Sequence, residues 1–473
     1  MEFQVVDGGG TVPDDTRLED LAADPLLTRD YETRPALVYE RLRERHGPVA
    51  PVDLLGVPAW LVLGYRESLQ VLQDDKGWPK GLENWRARTE GRVPADWPLA
   101  PSLEVNHVLI QGGDGHRRLR AAWDTALRPF QDPRNPQAKR LRAAVTGYAD
   151  ELITLLSQGG RTGHADLSAQ FSRPLPLMAA SHLLGFPGSQ GDEALMDMWR
   201  VLDAGPDAEP ALERLLKTLS DLAVTKTGQP GDDFPSHLLA AQPDLSVDEL
   251  ARELFMLLGM VSDHVGILIS NTVVEVISGE GDGGVRRTLS AGMVRETMNR
   301  VVMRKPPLVN FVPRFPVEDT ALGNYTIRAG DPVWVSAAAA HADPLFAGQT
   351  SPGSSSISSR AHLSWGAGPR QCPARELAFT IAAAGVSRLV ERFGHLEPAL
   401  PVDQLPWRSS PFMRGLRSLP VRYELTGPVQ PLPEPAPETA EAADTPEAAE
   451  EAAERAVRRR SSLWRYLTGL IRR

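Results

Sequence analysis

Trp365-Gly-Ala-Gly-Pro-Arg-Gln-Cys-Pro-Ala374 contains the only cysteine of the chain, Cys372, and the fold turns on this stretch. Gly366 and Gly368 let the backbone turn tightly and approach a flat ligand with no Cβ in the way. Beyond it, Ala378, Ala382, Val386, Leu389 and Phe393 recur at helical spacing, so a helix is expected to begin just past the sulfur. The positive end of such a helix favours the thiolate form of Cys372. Arg370, two residues earlier, is suited to hydrogen-bond an anion at the rim of the same loop. A lone cysteine in this setting is a structural thiol, a nucleophile or a metal ligand. A nucleophile needs a histidine partner, and none lies close in sequence.

Working outward, Leu254–Ile269 is a long apolar run interrupted by Val261-Ser-Asp-His-Val265. Polar groups inside such a run are costly unless hydrogen-bonded, which marks Asp263 and His264 as candidate functional residues. In Asp114-Gly-His-Arg-Arg-Leu-Arg120, His116 and Arg120 stand at i and i+4 on one helical face, and a solvated basic face is the bland alternative. Ala36–His46 and much of Arg118–Arg304 read as helix, while Trp60–Leu63, Val333–Val335 and Val421–Tyr423 read as strand. The expected fold class is mostly α with small peripheral β-sheets.

The cysteine segment resembles the ligand loop of the cytochrome P-450 superfamily, Phe-Gly-x-Gly-x-(His/Arg)-x-Cys-x-(Gly/Ala), with Trp365 in place of the first Phe. The resemblance runs from about Tyr39 to Tyr423 and is strongest to actinobacterial members. It implies the P-450 fold over residues 15–425, haem b as cofactor and Cys372 as the axial ligand of the iron. It further implies that His116, Arg120, Arg314 and Arg370 hold the haem propionates, with Arg314 following the strand opened by Pro306-Pro307. Leu254–Ile269 resembles the helix that crosses the haem, and Gly415–Val421 the hairpin that borders the substrate pocket. The implied activity is a monooxygenase acting on an apolar small molecule, with electrons from a separate ferredoxin and ferredoxin reductase.

Three departures qualify that expectation. His264 stands where the family's proton-delivering alcohol would be, although Asp263 keeps the acid. The Glu-x-x-Arg pair counted back from Pro306 falls on Arg300 and Met303 and is absent; Glu296 and Arg300 are left to meet at i, i+4. A minority of actinobacterial members also lacks this pair. The serine-rich run Ser351–Ser359 replaces more aromatic and acidic anchors before the cysteine segment. These departures keep a second reading open, a haem-binding regulatory or scaffold protein with little turnover.

The net charge of −10 speaks against nucleic-acid binding, and a single cysteine excludes an internal disulfide framework and points to a reducing cytoplasm. Met1–Asp15 shows no signal-peptide pattern, and no apolar run is long enough to span a bilayer. Residues 426–454 carry eight carboxylates, six prolines and no base, the composition of an extended, disordered linker. Residues 455–473 then carry seven arginines and no acid, with Leu463, Trp464, Leu467, Leu470 and Ile471 on one helical face. This basic amphipathic helix is expected to dock an anionic membrane surface, peripheral at the inner face, or a protein partner; a partner linked to a small GTPase is implied by the resemblance alone.

Overall fold

The computed structural model describes residues 17–186, 190–203, 207–278, 291–347 and 361–430. The serine-rich run, the expected linker beyond Gln430 and the segment 455–473, expected to be a basic helix, lie outside the described residues. The chain divides into two compact units, each assembled from distant stretches.

The first unit draws on Met1–Asp114, Leu308–Gln371 and Ser409–Met413. Its sheet has the order β1 (Asp24–Pro25), β2 (Val49–Leu54), β3 (Val57–Val62), β7 (Val333–Val335). Leu55 and Gly56, both at positive φ, form the two-residue turn between β2 and β3, the conformation that matches strand twist. Ala59 and Leu61 of β3 enter one apolar cluster with Trp334, whereas Trp60 and Val62 enter another with Val333 and Val335. Both faces of this sheet are covered, which is why its strands read as unbroken apolar runs. A small hairpin, β5 (Thr320–Leu322) with β6 (Tyr325–Ile327), belongs to the same unit. Two helices flank the strands, α1 (Pro35–His46) and α2 (Tyr65–Gln73).

The second unit draws on Gly115–Pro307, Cys372–Arg408 and Arg414–Arg473 and is mainly helical. Its principal helices are α3 (Gly113–Gln131), α4 (Pro136–Leu156), α5 (Pro174–Leu184), α6 (Gln190–Asp203), α7 (Ala208–Gly228), α8 (Phe234–Ala241), α9 (Val247–Gly259), α10 (Gly266–Ser278), α11 (Ala291–Arg304) and α12 (Arg375–Arg392). A reciprocal Ser246/Glu249 capping box starts α9. The π-helical turn Met260–Val265 then joins α9 to α10 in one helix, Val247–Ser278. This is the one described helix long and apolar enough to cross a membrane, but 72% of its most apolar window is buried, the behaviour of a core helix. Gly266 makes that packing possible, since a Cβ there would meet the Ser172 carbonyl oxygen at 2.8 Å.

Strands β4 (Thr162–Asp166), β9 (Pro420–Leu425) and β8 (Phe393–Pro398) form an antiparallel sheet in the order 4-9-8. Phe393, expected on the helix after the cysteine, opens β8 instead and is fully buried there. The ordered chain also continues past the expected boundary at Thr426. The Thr426 N–H donates to the Arg392 carbonyl at 2.9 Å, and the Gln430 carbonyl accepts from Gln158 at 3.1 Å.

The absent Glu-x-x-Arg pair has no i, i+4 substitute. Glu296 is exposed, and Arg300 donates to Thr297 Oγ1 at 3.0 Å. Helix α11 reaches α12 through a different residue, Arg295, which pairs with Glu376 and lies 5.1 Å from the centroid of the Phe379 ring. The start of α12 is further held by Gln131, whose amide donates to the Pro373 carbonyl at 2.9 Å and accepts from the Leu377 N–H at 3.2 Å.

Candidate functional site

The cysteine loop has the geometry its glycines require. Gly366 and Gly368 adopt φ of 72° and 69°, and a Cβ on Gly368 would stand 2.8 Å from both Gln73 Cα and the Leu72 oxygen. Helix α12 begins at Arg375, so Cys372 lies just before a helix N-terminus. Burial pushes the thiol pKa up, whereas the Ala374 N–H bonded to the sulfur and the charges of Arg120 and Arg375 pull it down. Burial wins, so the thiol keeps its proton until a metal displaces it. Among the described residues no group of three His, Cys, Asp or Glu side chains is arranged to hold a metal ion. A metal bound at Cys372 therefore has to bring most of its own ligands, which is what an iron porphyrin does. The sulfur, its N–H donor and the two guanidiniums fit that group.

On α3, His116 is buried and Arg120 partly so, on one face as the spacing requires. Arg120 pairs with Asp124 at 3.0 Å, and its charge reaches Cys372. The neighbouring Arg118 is committed to Glu249 at 2.6 Å.

The polar residues of the long core helix fall in its π-helical turn, a distortion that often marks function. His264 is buried, and loss of water drives its pKa down to about 4 against the opposing pull of Asp263, so the imidazole is neutral at neutral pH. Asp263 is not a free acid: Arg408 Nη2 donates to its Oδ1 at 2.6 Å. Gly415 makes room for that arginine, because a Cβ there would lie 2.9 Å from Arg408 Nη2 and 2.6 Å from Ile267. The segment Gly415–Val421, expected to form a hairpin, instead makes one isolated antiparallel bridge, Leu416 to Trp407, and then runs into β9 at Pro420.

In the first unit, Arg314 and Arg370 converge on one carboxylate. Arg314 Nη1 donates to Asp75 Oδ1 at 3.2 Å and to the Trp78 carbonyl at 3.0 Å; Arg370 Nε donates to the same Asp75 oxygen, and its Nη2 to the Gln111 carbonyl at 2.7 Å. Both guanidiniums are almost fully buried. Burial lowers the Arg314 pKa to about 10, with Arg370 adding to the fall and Asp75 opposing it. Sequence reasoning missed Asp75, Arg375 and Arg408. Arg375 lies three residues past the cysteine and was within reach of the loop argument; Asp75 and Arg408 are brought in from distant parts of the chain.

The family description for cytochrome P-450 matches residues 294–406. The chain is 30% identical over 417 residues to cytochrome P-450 107B1 of Saccharopolyspora erythraea, covering 85% of this chain and 97% of that one. It is 28% identical to the 2-hydroxy-5-methyl-1-naphthoate 7-hydroxylase of Streptomyces carzinostaticus, covering 81% and 94%. Among solved structures, CYP154A1 of Streptomyces coelicolor is similar at 28% identity with a TM-score of 0.67, covering 82% and 97%. CYP154C4 of a Streptomyces species shares the fold at 24% identity with a TM-score of 0.72, covering 85% and 98%. With the cysteine loop, the mainly helical second unit and a relative 30% identical and matched over nearly its full length, the chain belongs to the cytochrome P-450 family of haem-dependent monooxygenases.

Proposed function

We propose that the chain binds haem b through Cys372, with His116, Arg120, Arg314 and Arg370 directed to the propionates, and hydroxylates an apolar small molecule. Its electrons come from a separate ferredoxin and ferredoxin reductase. When bound, the haem supplies the redox chemistry that splits dioxygen and leaves one of its atoms in the substrate. The protein supplies a half-buried sulfur with a backbone N–H donor, two nearby guanidiniums and a π-helical turn. The environment of Cys372 is the observation that carries this reading. The relatives named as hydroxylases of 2-hydroxy-5-methyl-1-naphthoate and of 6-deoxyerythronolide B support a small organic substrate with a large hydrocarbon portion. Asp263 and His264 are the candidates for handling protons, Asp263 through its carboxylate and His264 as a neutral imidazole.

The test is the spectrum of the reduced protein under carbon monoxide. A strongly red-shifted Soret band is expected, and a histidine-type band overturns the assignment of Cys372. The ion pair that occupies Asp263 favours the second reading, a haem protein of the same fold with little turnover. Dioxygen uptake with a surrogate ferredoxin and reductase separates the two: uptake that stays at background with every apolar compound tried selects the second. We place the protein in the cytoplasm, with residues 455–473 docking an anionic membrane surface. Co-sedimentation with anionic and neutral vesicles, comparing the full chain with one ending at Gln430, tests that docking; equal partitioning removes it.

A further inference from the structure

In the first unit, Trp60, Tyr325, His46 and Asp24 stand in a single file of contacts. Trp60, on β3, is buried to 1% exposure among Val49, Val62, Leu322 and Val333. Its indole N–H donates to Asp331 Oδ2 at 3.1 Å, and Arg86 Nη2 holds the other oxygen of that carboxylate at 2.5 Å. The Tyr325 ring packs on the indole with centroids 4.8 Å apart. Its hydroxyl stands 2.8 Å from His46 Nδ1, and His46 Nε2 stands 3.3 Å from Asp24 Oδ2. The carboxylate keeps the imidazole proton on Nε2, so Nδ1 is the acceptor and the phenol donates to it. Exposure rises along the file, to 10% for the His46 side chain and 36% for that of Asp24, which also pairs with Arg45. The file therefore runs from the core of the sheet to solvent.

We propose that Trp60, Tyr325 and His46 form a redox relay that carries a one-electron oxidising equivalent out of the sheet core and stores it as a neutral Tyr325 radical. The starting oxidant is an outer-sphere one-electron oxidant stronger than a tryptophanyl radical. It takes one electron from Trp60 and leaves the indole radical cation beside the Asp331 carboxylate. Tyr325 then gives one electron to the indole and its hydroxyl proton to His46 Nδ1. Trp60 is restored, and the products are the Tyr325 phenoxyl radical and an imidazolium. A reductant at the surface returns the electron, and His46 returns the proton. Burial raises the Tyr325 pKa against the pull of Arg45, so the phenol is protonated at neutral pH. A protonated phenol loses an electron readily only if its proton leaves too, because the phenol radical cation is a very strong acid. A base already in hydrogen-bond contact takes that proton without rearrangement. Asp24 stabilises the imidazolium, the role an acid plays behind the histidine of a proton-relay triad. The direction is downhill, since a tryptophanyl radical is the stronger oxidant of the two at neutral pH. The relay stands apart from the haem reading.

The experiment oxidises the full chain with photogenerated tris(bipyridine)ruthenium(III) and traps the radicals by freezing. Labelling with ring-deuterated tyrosine separates tyrosyl from tryptophanyl signals in the electron paramagnetic resonance spectrum. Wild type is expected to give a tyrosyl radical at neutral pH. Tyr325→Phe should lose the larger part of it and show a tryptophanyl radical in its place, because the oxidising equivalent then stops at Trp60. His46→Gln keeps a hydrogen-bond acceptor but no base. It should lose the tyrosyl signal at neutral pH and regain it in alkaline solution, where the phenol ionises unaided. A hydrogen bond that only ties the hairpin to α1 would leave this pH dependence unmoved. Both substitutions are close in shape to the residues they replace and fall at partly buried positions, so the fold is kept. No tyrosyl radical in wild type, or one unchanged in Tyr325→Phe, overturns the relay. An equal neutral-pH signal in His46→Gln overturns the role of His46 as proton acceptor. Tyr325→Phe without a tryptophanyl signal overturns the role of Trp60. The carbon monoxide spectrum, which tests the haem reading, bears on none of these outcomes.

Discussion

Asp75 and Asp263 are carboxylates drawn inward against arginine, and they sit in opposite charge balances. Asp75 is shared by Arg314 and Arg370, with Lys80 buried close by, so base exceeds acid. Asp263 has Arg408 to itself, and both side chains keep some contact with solvent, at 14% and 19% exposure. A one-to-one pair is complete and calls for nothing more. An excess of buried base makes the single acid costly to remove. The two sites thus differ in kind: the first gathers an excess of buried base around one acid, and the second restrains the acid of the core helix.

The comparison depends first on iron being held by sulfur. Cys372→Ser should abolish the thiolate-type carbon monoxide spectrum entirely, since an alcohol is a weaker and harder ligand. An unchanged spectrum in difference spectroscopy removes the reason for reading the basic cluster as part of a haem site. The next largest effect is expected at Asp75. Asp75→Asn leaves three buried bases without an internal counter-ion and should cost about 4 kcal/mol in urea unfolding. A loss below about 1 kcal/mol, the scale of an exposed pair, would show that the cluster is not short of negative charge.

His264 tests the restrained site through pH. Burial lowers its pKa from 6.5 to about 4, so the unfolded chain takes up the proton first as pH falls. Stability is full above about pH 6.5 and is lost progressively as pH drops toward 4. The loss over that window amounts to about 3 kcal/mol. His264→Leu should flatten this stretch of the stability profile, measured by urea midpoints between the two pH limits. An equally steep profile in the variant would place the acid sensitivity elsewhere. Asp263→Asn should cost about 2 kcal/mol, less than at Asp75, because one partly exposed guanidinium loses its partner instead of three buried bases. Arg408→Met added to it should bring little further loss, since the two act as one pair.

Much of the fold was legible because its signals are local. Positive-φ glycines beside the cysteine, the apolar stripe behind it and the unbroken strands of a covered sheet are each written within about ten residues. Candidate site residues could be named from sequence only where chemistry and local pattern coincide, at Cys372, at His116 with Arg120 and in the interrupted core helix. Asp75 was not, because Gln73-Asp-Asp-Lys76 has the look of a solvated turn and its arginines stand 239 and 295 positions away. Arg408 is 145 positions from Asp263 for the same reason. The interrupted apolar run marked the acid but held no trace of what would pair with it. The Glu296–Arg300 pairing failed differently: helical spacing permits it, but Thr297 also lies within reach of Arg300 and takes the bond. Spacing gives the set of reachable partners and not the choice among them.

The smallest expected effect concerns the anchor that replaces the family's missing pair. Arg295 reaches Glu376 and the face of Phe379, but both charged side chains are about half exposed, which makes the ion pair weak. Gln131 is a stronger candidate for holding the cysteine loop. It grips the chain on both sides of Ala374, one residue before α12 begins, and neither of its bonds involves α11. Asp150 adds a grip at the far end of α12 by pairing with Arg388 and Arg392. The anchoring task is therefore spread over several contacts, each modest. Arg295→Ala should lower stability by only about 0.5 kcal/mol and speed haem transfer to excess apomyoglobin by less than about twofold. Gln131→Ala should speed it more, because the Leu377 N–H and the Pro373 carbonyl lose their partner together. If Arg295→Ala releases haem faster than Gln131→Ala, the anchor is concentrated on α11 after all, and Arg295 has taken over the role of the lost pair alone.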